Sequence, residues 1–95
     1  MPEMRFNIRW PDGSVESCYS PSLVIKKYLV PGTSYRLAEF LERCRTALTI
    51  GNDRVRARYG KPCLRAMKQR ARIEDAARAF VDHPHPEVNI ISFEE

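Results

Sequence analysis

Met4, Phe6, Ile8 and Trp10 alternate with Arg5, Asn7 and Arg9, the period of two that belongs to a strand with one buried face. Pro11-Asp12-Gly13 follows, and Asp-Gly favours a two-residue hairpin turn because both residues tolerate positive φ. A returning strand over residues 14–19 then sets Trp10 opposite Val15, Arg9 opposite Glu16, Ile8 opposite Ser17 and Phe6 opposite Tyr19. In that register the apolar residues share one face and an Arg–Glu pair sits on the other. Cys18 falls on this second face, beside Asn7.

Ser20-Pro21 has the form of a helix start, a capping hydroxyl followed by proline at the first helical position. A short first helix is expected over residues 23–29, with Val24/Tyr28 and Ile25/Leu29 as i,i+4 pairs, ended by Pro31-Gly32. The next pattern is the strongest in the chain. Leu37, Leu41, Cys44, Leu48, Gly51 and Val55 recur in alternating steps of four and three, extended by Phe40 and Tyr59. The phase holds across Gly51-Asn52-Asp53, so one helix over residues 36–59 is expected, with Gly51 as the place to bend. Gly60 suits the C-cap and Pro62 the opening of a third helix over residues 62–81. The apolar stripe of that helix is Cys63, Ala66, Met67, Ile73, Ala77 and Phe80, with Arg70 lying on it. His83-Pro84-His85-Pro86 breaks the helix. Residues 88–93 then form a last strand, apolar on both faces. The sum is an α+β fold in the order ββαααβ: an N-terminal β-hairpin, three helices, and a C-terminal strand that crosses back to join the sheet.

Ninety-five residues, 43% hydrophobic and 29% charged, fit one ordinary globular domain spanning 1–95. A core this small covers about two-thirds of the unfolded surface, so homo-oligomerisation would add stability. Residues 1–10 lack the unbroken apolar stretch of a signal peptide, and no run approaches the roughly 20 residues of a membrane span. The expectation is a soluble cytoplasmic protein without membrane contact. Three cysteines, with no CxxC pair, argue against a disulfide framework.

Charge changes the picture most. Arg54, Arg56, Arg58, Lys61, Arg65, Lys68, Arg70 and Arg72 fall within residues 54–72 without one acidic residue among them. The net charge of +4 is therefore +8 in one helix–turn–helix and −4 in the rest of the chain. Arg54 and Arg58 share one helical face; Arg65, Lys68 and Arg72 share another. With Lys61 these make a cationic corner suited to an acidic protein or a small anion. A plain solvated face, helped by the helix dipole, is the competing account. Nucleic acid ranks last, because Tyr59 is the only aromatic where stacking needs several.

Thiol chemistry comes next. Cys44 belongs to the apolar stripe and to the core. Cys63, at a helix N-terminus among cations, has the surroundings of an activated thiol, and Cys18 lies near the hairpin's end. Burial of Cys63 on its stripe would instead make it inert. His83 and His85 complete a conceivable ligand set with Cys18 and Cys63, but no pair has zinc spacing, so no metal and no cofactor are expected. No phosphate loop, nucleophile elbow or metalloprotease motif occurs, and no catalytic residue is assigned.

At Arg9-Trp10-Pro11-Asp12-Gly13, Cys18-Tyr19-Ser20-Pro21-Ser22, Tyr59-Gly60, Cys63 and Arg65-Ala66 the chain resembles a family of small bacterial nitrogen starvation response proteins. These are encoded in nitrilase gene clusters beside a nitrilase, a radical-SAM protein, an acetyltransferase-like protein and a flavin-dependent oxidoreductase. The resemblance covers residues 1–80 and implies a cytoplasmic accessory protein in nitrile or nitrogen metabolism, with an enzyme of the cluster as partner. It brings no activity and no catalytic residues. Three classes stay open: an accessory protein, a small-anion-binding module, and a cysteine enzyme using Cys63.

Overall fold

The computed structural model describes residues 3–95. Among these residues are four strands, β1 (Met4–Arg9), β2 (Val15–Ser20), β3 (Ser34–Arg36) and β4 (Glu87–Glu94), and two α-helices, α1 (Leu37–Tyr59) and α2 (Leu64–Ala77). Short 3₁₀ turns cover Leu23–Lys27 and Arg78–Phe80. The sheet is antiparallel in the order β2-β1-β4-β3, so β1 and β4, from opposite ends of the sequence, are its two central strands.

The hairpin forms, but one residue out of the expected register. Arg9 faces Val15, Ile8 faces Glu16, Phe6 faces Cys18 and Arg5 faces Tyr19. The cause is Pro11. Gly13 N–H donates to Trp10 C=O at 2.9 Å and Trp10 N–H to Ser14 C=O at 2.8 Å, which makes a three-residue loop with Pro11 in the second turn position. Proline's fixed φ suits that position, and Gly13 at φ +90° closes the loop. Cys18 therefore turns into the core, while Tyr19 moves to the outer face beside Arg5.

Three helices become two. Ser22, not Ser20, is the cap, its hydroxyl accepting from Val24 N–H at 3.3 Å, and the segment winds as 3₁₀ for only five residues. Ser20 is buried and donates its hydroxyl to Ser22 C=O at 2.6 Å. Residues 34–36 pair with β4 as a strand too short to display a period. The long helix is continuous through Gly51, as expected, and ends at Gly60 with φ +75°. A β-carbon at Gly51 would lie 3.1 Å from the Pro21 ring, so glycine here lets the helix approach the 20–22 segment. Cys63 is the N-cap residue of α2, which starts at Leu64 rather than Pro62.

Met4, Phe6, Ile8, Cys18, Tyr35, Val88 and Ile90 form the inner face of the sheet. They close against Phe40, Cys44, Ala47 and Leu48 of α1 and against Val24, Ile25 and Leu29. Trp10 stacks on Phe80 at 5.7 Å and meets Phe40 edge-on at 5.8 Å, tying the hairpin to α1 and to the 3₁₀ turn after α2. Each such large side chain contributes about 1.5–3 kcal/mol on burial. The two-sided apolar pattern of the last strand resolves as a β-bulge. The β1–β4 register shifts between Asn7 and Ile8, making Ile91 the extra residue, so Phe93 faces Phe6 on the side that holds Ile90.

Candidate functional site

β2 is an edge strand, and α2 runs along it. Tyr19 N–H, which points away from β1, donates to Gln69 Oε1 at 3.0 Å, so a side chain of α2 satisfies the exposed edge. That bond also orients the Gln69 carboxamide, because the opposite flip would set two donors against each other. Gln69 Nε2 is then left buried with no protein hydrogen-bond partner among the described residues. A buried donor in that state costs about 1–3 kcal/mol.

Gln69 also helps to line a shallow depression of about 300 Å³, together with Arg5, Tyr19, Arg65, Lys68 and Arg72. Local packing fixes three of its cations. Arg72 meets Glu16 through two N–H···O contacts of 3.2 and 3.3 Å, and Glu16 accepts from Trp10 Nε1 at 3.1 Å. The Arg65 guanidinium lies 4.1 Å from the centre of the Tyr19 ring and 3.7 Å from Glu3. Arg5 reaches Ser17 Oγ at 3.4 Å. Lys68 forms no salt bridge among the described residues. Burial, and then the hydrogen bond to Glu3, hold the Tyr19 hydroxyl above its ordinary pKa.

The six cations expected to act together divide in two. Arg65, Lys68 and Arg72 converge on the depression at β2, joined by Arg5. Arg54, Arg58 and Lys61 belong to the far end of α1 and the turn after it; Arg54 donates to Ser22 Oγ at 3.2 Å, and Arg58 lies 5.7 Å from the Tyr59 ring centre. None of these three forms a salt bridge among the described residues. The same helical hairpin exposes Tyr59, Leu64 (65%) and Met67 (50%). Met67 thus leaves the stripe expected of it, and Arg70 turns out to Glu74 at 3.1 Å.

The thiols separate as well. Cys18 is fully buried, and burial pushes its pKa up to about 12, so it is no nucleophile at neutral pH. Cys44 is held well above the ordinary thiol value, chiefly by burial. Cys63 is half-buried; its N–H donates to Asn52 Oδ1 and its sulfur lies 3.9 Å from the Tyr19 hydroxyl. That hydroxyl, with its acidity suppressed, is a poor base for a thiol. His83 is engaged with Pro84 C=O at 2.9 Å and with the Phe80 ring. Among the described residues no group of three or more His, Cys, Asp or Glu could hold a metal ion, and no helix is long and apolar enough to cross a membrane.

Sequence reasoning missed Arg5, Tyr19 and Gln69. Outward placement of Arg5 was legible from the alternation of β1, but its meeting with α2 is a long-range event without a local signal. Tyr19 was misplaced by the register shift.

Together the fold and the depression define a small α+β protein with a cationic helical hairpin set against the edge of its sheet. The family model of nitrogen starvation-induced protein NitG matches residues 5–93, and the chain belongs to that family. No curated protein and no solved structure matches it.

Proposed function

We propose that this chain is a non-catalytic accessory protein of the nitrogen starvation response, working in the cytoplasm by docking onto an acidic partner protein. An enzyme encoded in a nitrilase gene cluster is the first partner to test. The observation that carries this reading is the α1–α2 hairpin, where Tyr59, Leu64 and Met67 are exposed alongside Arg54, Arg58, Lys61 and Lys68, four cations that form no salt bridge among the described residues. Aromatic, Met and Arg side chains are enriched at protein interfaces, and a rim of one sign steers a partner of the other. Cations left unpaired in water contribute little to folding, so binding is the better account of their accumulation.

Affinity purification from nitrogen-starved cells tests the proposal, with the recovered protein then re-bound in purified form. Recovery of an acidic protein should be lost when Leu64 and Met67 become Ser. It should also be lost when Arg54, Arg58, Arg65 and Lys68 become Gln, and added salt should mimic the charge change. Unaltered recovery with both variants would leave a plain solvated face as the better description. A second reading, a module for a small anionic metabolite, is favoured by one observation: the unpartnered Gln69 amide among four cations at β2.

A further inference from the structure

The depression at the β2 edge has features that a solvated charge patch does not need. Four cations line it, Arg5, Arg65, Lys68 and Arg72, and two carboxylates touch them, Glu3 and Glu16. Glu94, opposite Arg5 across the β1–β4 pair, accepts from Asn7 Nδ2 at 3.1 Å. Of the four cations, Arg5 and Lys68 form no salt bridge among the described residues. Three of the cations are held by stacking, by a paired carboxylate or by a serine hydroxyl, which limits the ordering they would need on binding a ligand. The Gln69 Nε2 donor is buried, oriented by β2 and without a protein acceptor. What satisfies such a donor among cations is an oxygen that bears negative charge.

We propose that this depression binds a phosphoryl dianion, with Gln69 Nε2, Arg5, Lys68 and the open edge of Arg72 donating to its oxygens. The double charge matches the two cations that form no salt bridge, Arg5 and Lys68, and guanidinium groups present paired N–H donors to tetrahedral oxyanions. About 300 Å³ fits the phosphoryl group and a small substituent, at the lower end of ligand-site volumes. The site deepens the small-anion reading given above and does not require the protein-docking one, because Arg54, Arg58, Lys61, Leu64 and Met67 do not line it.

The test is a nuclear magnetic resonance titration of the full chain with inorganic phosphate, glycerol 3-phosphate and acetate, each at constant ionic strength. Phosphate should shift the Gln69 side-chain amide and the Tyr19 backbone amide along one saturable curve. Lys68→Gln and Arg5→Gln, both at exposed positions, should each weaken binding by about tenfold, as loss of a charge-assisted bond does. The Leu64→Ser/Met67→Ser variant should keep the curve unchanged even where it loses a protein partner. Tighter binding of glycerol 3-phosphate assigns an ester as the source of the group; tighter binding of inorganic phosphate assigns the free ion. The proposal is overturned by acetate binding as well as phosphate, by chloride reproducing the shifts, or by a Gln69 amide that does not move.

Discussion

The inner face of the sheet with α1, and the outer run of α2, obey opposite rules. In the first, every position read as apolar from its periodicity in β1 is buried, and the helix gives up a side chain at Gly51 to come closer. In the second, Ala66, Ile73 and Ala77 suffice to seat the helix, while Leu64 and Met67 stay in water and the cations fan out around them. Small residues hold α2 near the body without covering it. One region is built for closure and the other for display. Stability and recognition should therefore respond to different substitutions.

The largest effect should come from Phe40→Ala. Phe40 is fully buried and abuts Trp10, and truncation of a core Phe costs about 3–5 kcal/mol. Chemical denaturation of Leu64→Ser should move by less than about 0.5 kcal/mol in the same assay. Comparable losses at the two positions would erase the contrast between the regions.

Gly51→Val should follow, at about 1–3 kcal/mol, because its branches would press on Pro21 and Ser22. Gly51→Ala offers a finer comparison. Alanine gains about 1 kcal/mol of helix propensity, but its β-carbon sits 3.1 Å from the Pro21 ring, so the usual gain should be absent. A melting temperature several degrees higher for Gly51→Ala would mean that the 20–22 segment yields easily.

Alkaline pH should weaken the core. Cys18 has its folded pKa raised to about 12 by burial, whereas an unfolded thiol ionises near about 8.5. Its contribution is thus complete below about pH 8.5 and declines as pH rises toward 12, by about 1.4 kcal/mol per pH unit, with Cys44 acting in the same direction. Unfolding free energies measured from pH 8 to 10.5 should fall more gently in Cys18→Ala than in the parent. Parallel curves would show that the thiol is open to solvent.

A small effect belongs to Glu74, which accepts from Arg45 of α1 at 2.8 Å and from Arg70 at 3.1 Å. Those bonds, Arg45 first, lower its pKa, so what it adds is present above the unfolded value and is lost as pH falls through the folded one. All three side chains are substantially exposed, which limits Glu74→Gln to less than about 1 kcal/mol at pH 7, and the loss should shrink as pH falls. A larger loss at pH 2 than at pH 7 would contradict the sign.

The regions also differ in how legible they are from the residues. The α1 helix was readable end to end because its stripe holds one phase, and β1 because it alternates strictly. Hairpin pairing was readable but its register was not, since Asp12-Gly13 suggests a two-residue turn and Pro11 extends it to three. The β3 strand left no trace, as three residues show no period, and Ile91 hid the true face of Phe93 by adding one residue to β4. The density of cations was plain in the sequence, but its division between a hairpin tip and a depression was not. That division depends on where α2 lies against β2, and the residues that complete the depression lie some fifty or more positions upstream of it.

The central pairing of β1 with β4 brings Asn7 within 2.9 Å of Ser92, 85 residues away. Such a topology closes late. During synthesis the hairpin and α1 can form in turn, but one edge of β1 lacks its neighbour until β4 has emerged from the ribosome. Until then, the strand that holds Phe6 and Ile8 is an open sheet edge. Loop closure over that distance slows the final step and makes folding sensitive to anything that pairs with β1 first. A peptide with the sequence of β4, supplied in trans during refolding, should act as such a competitor.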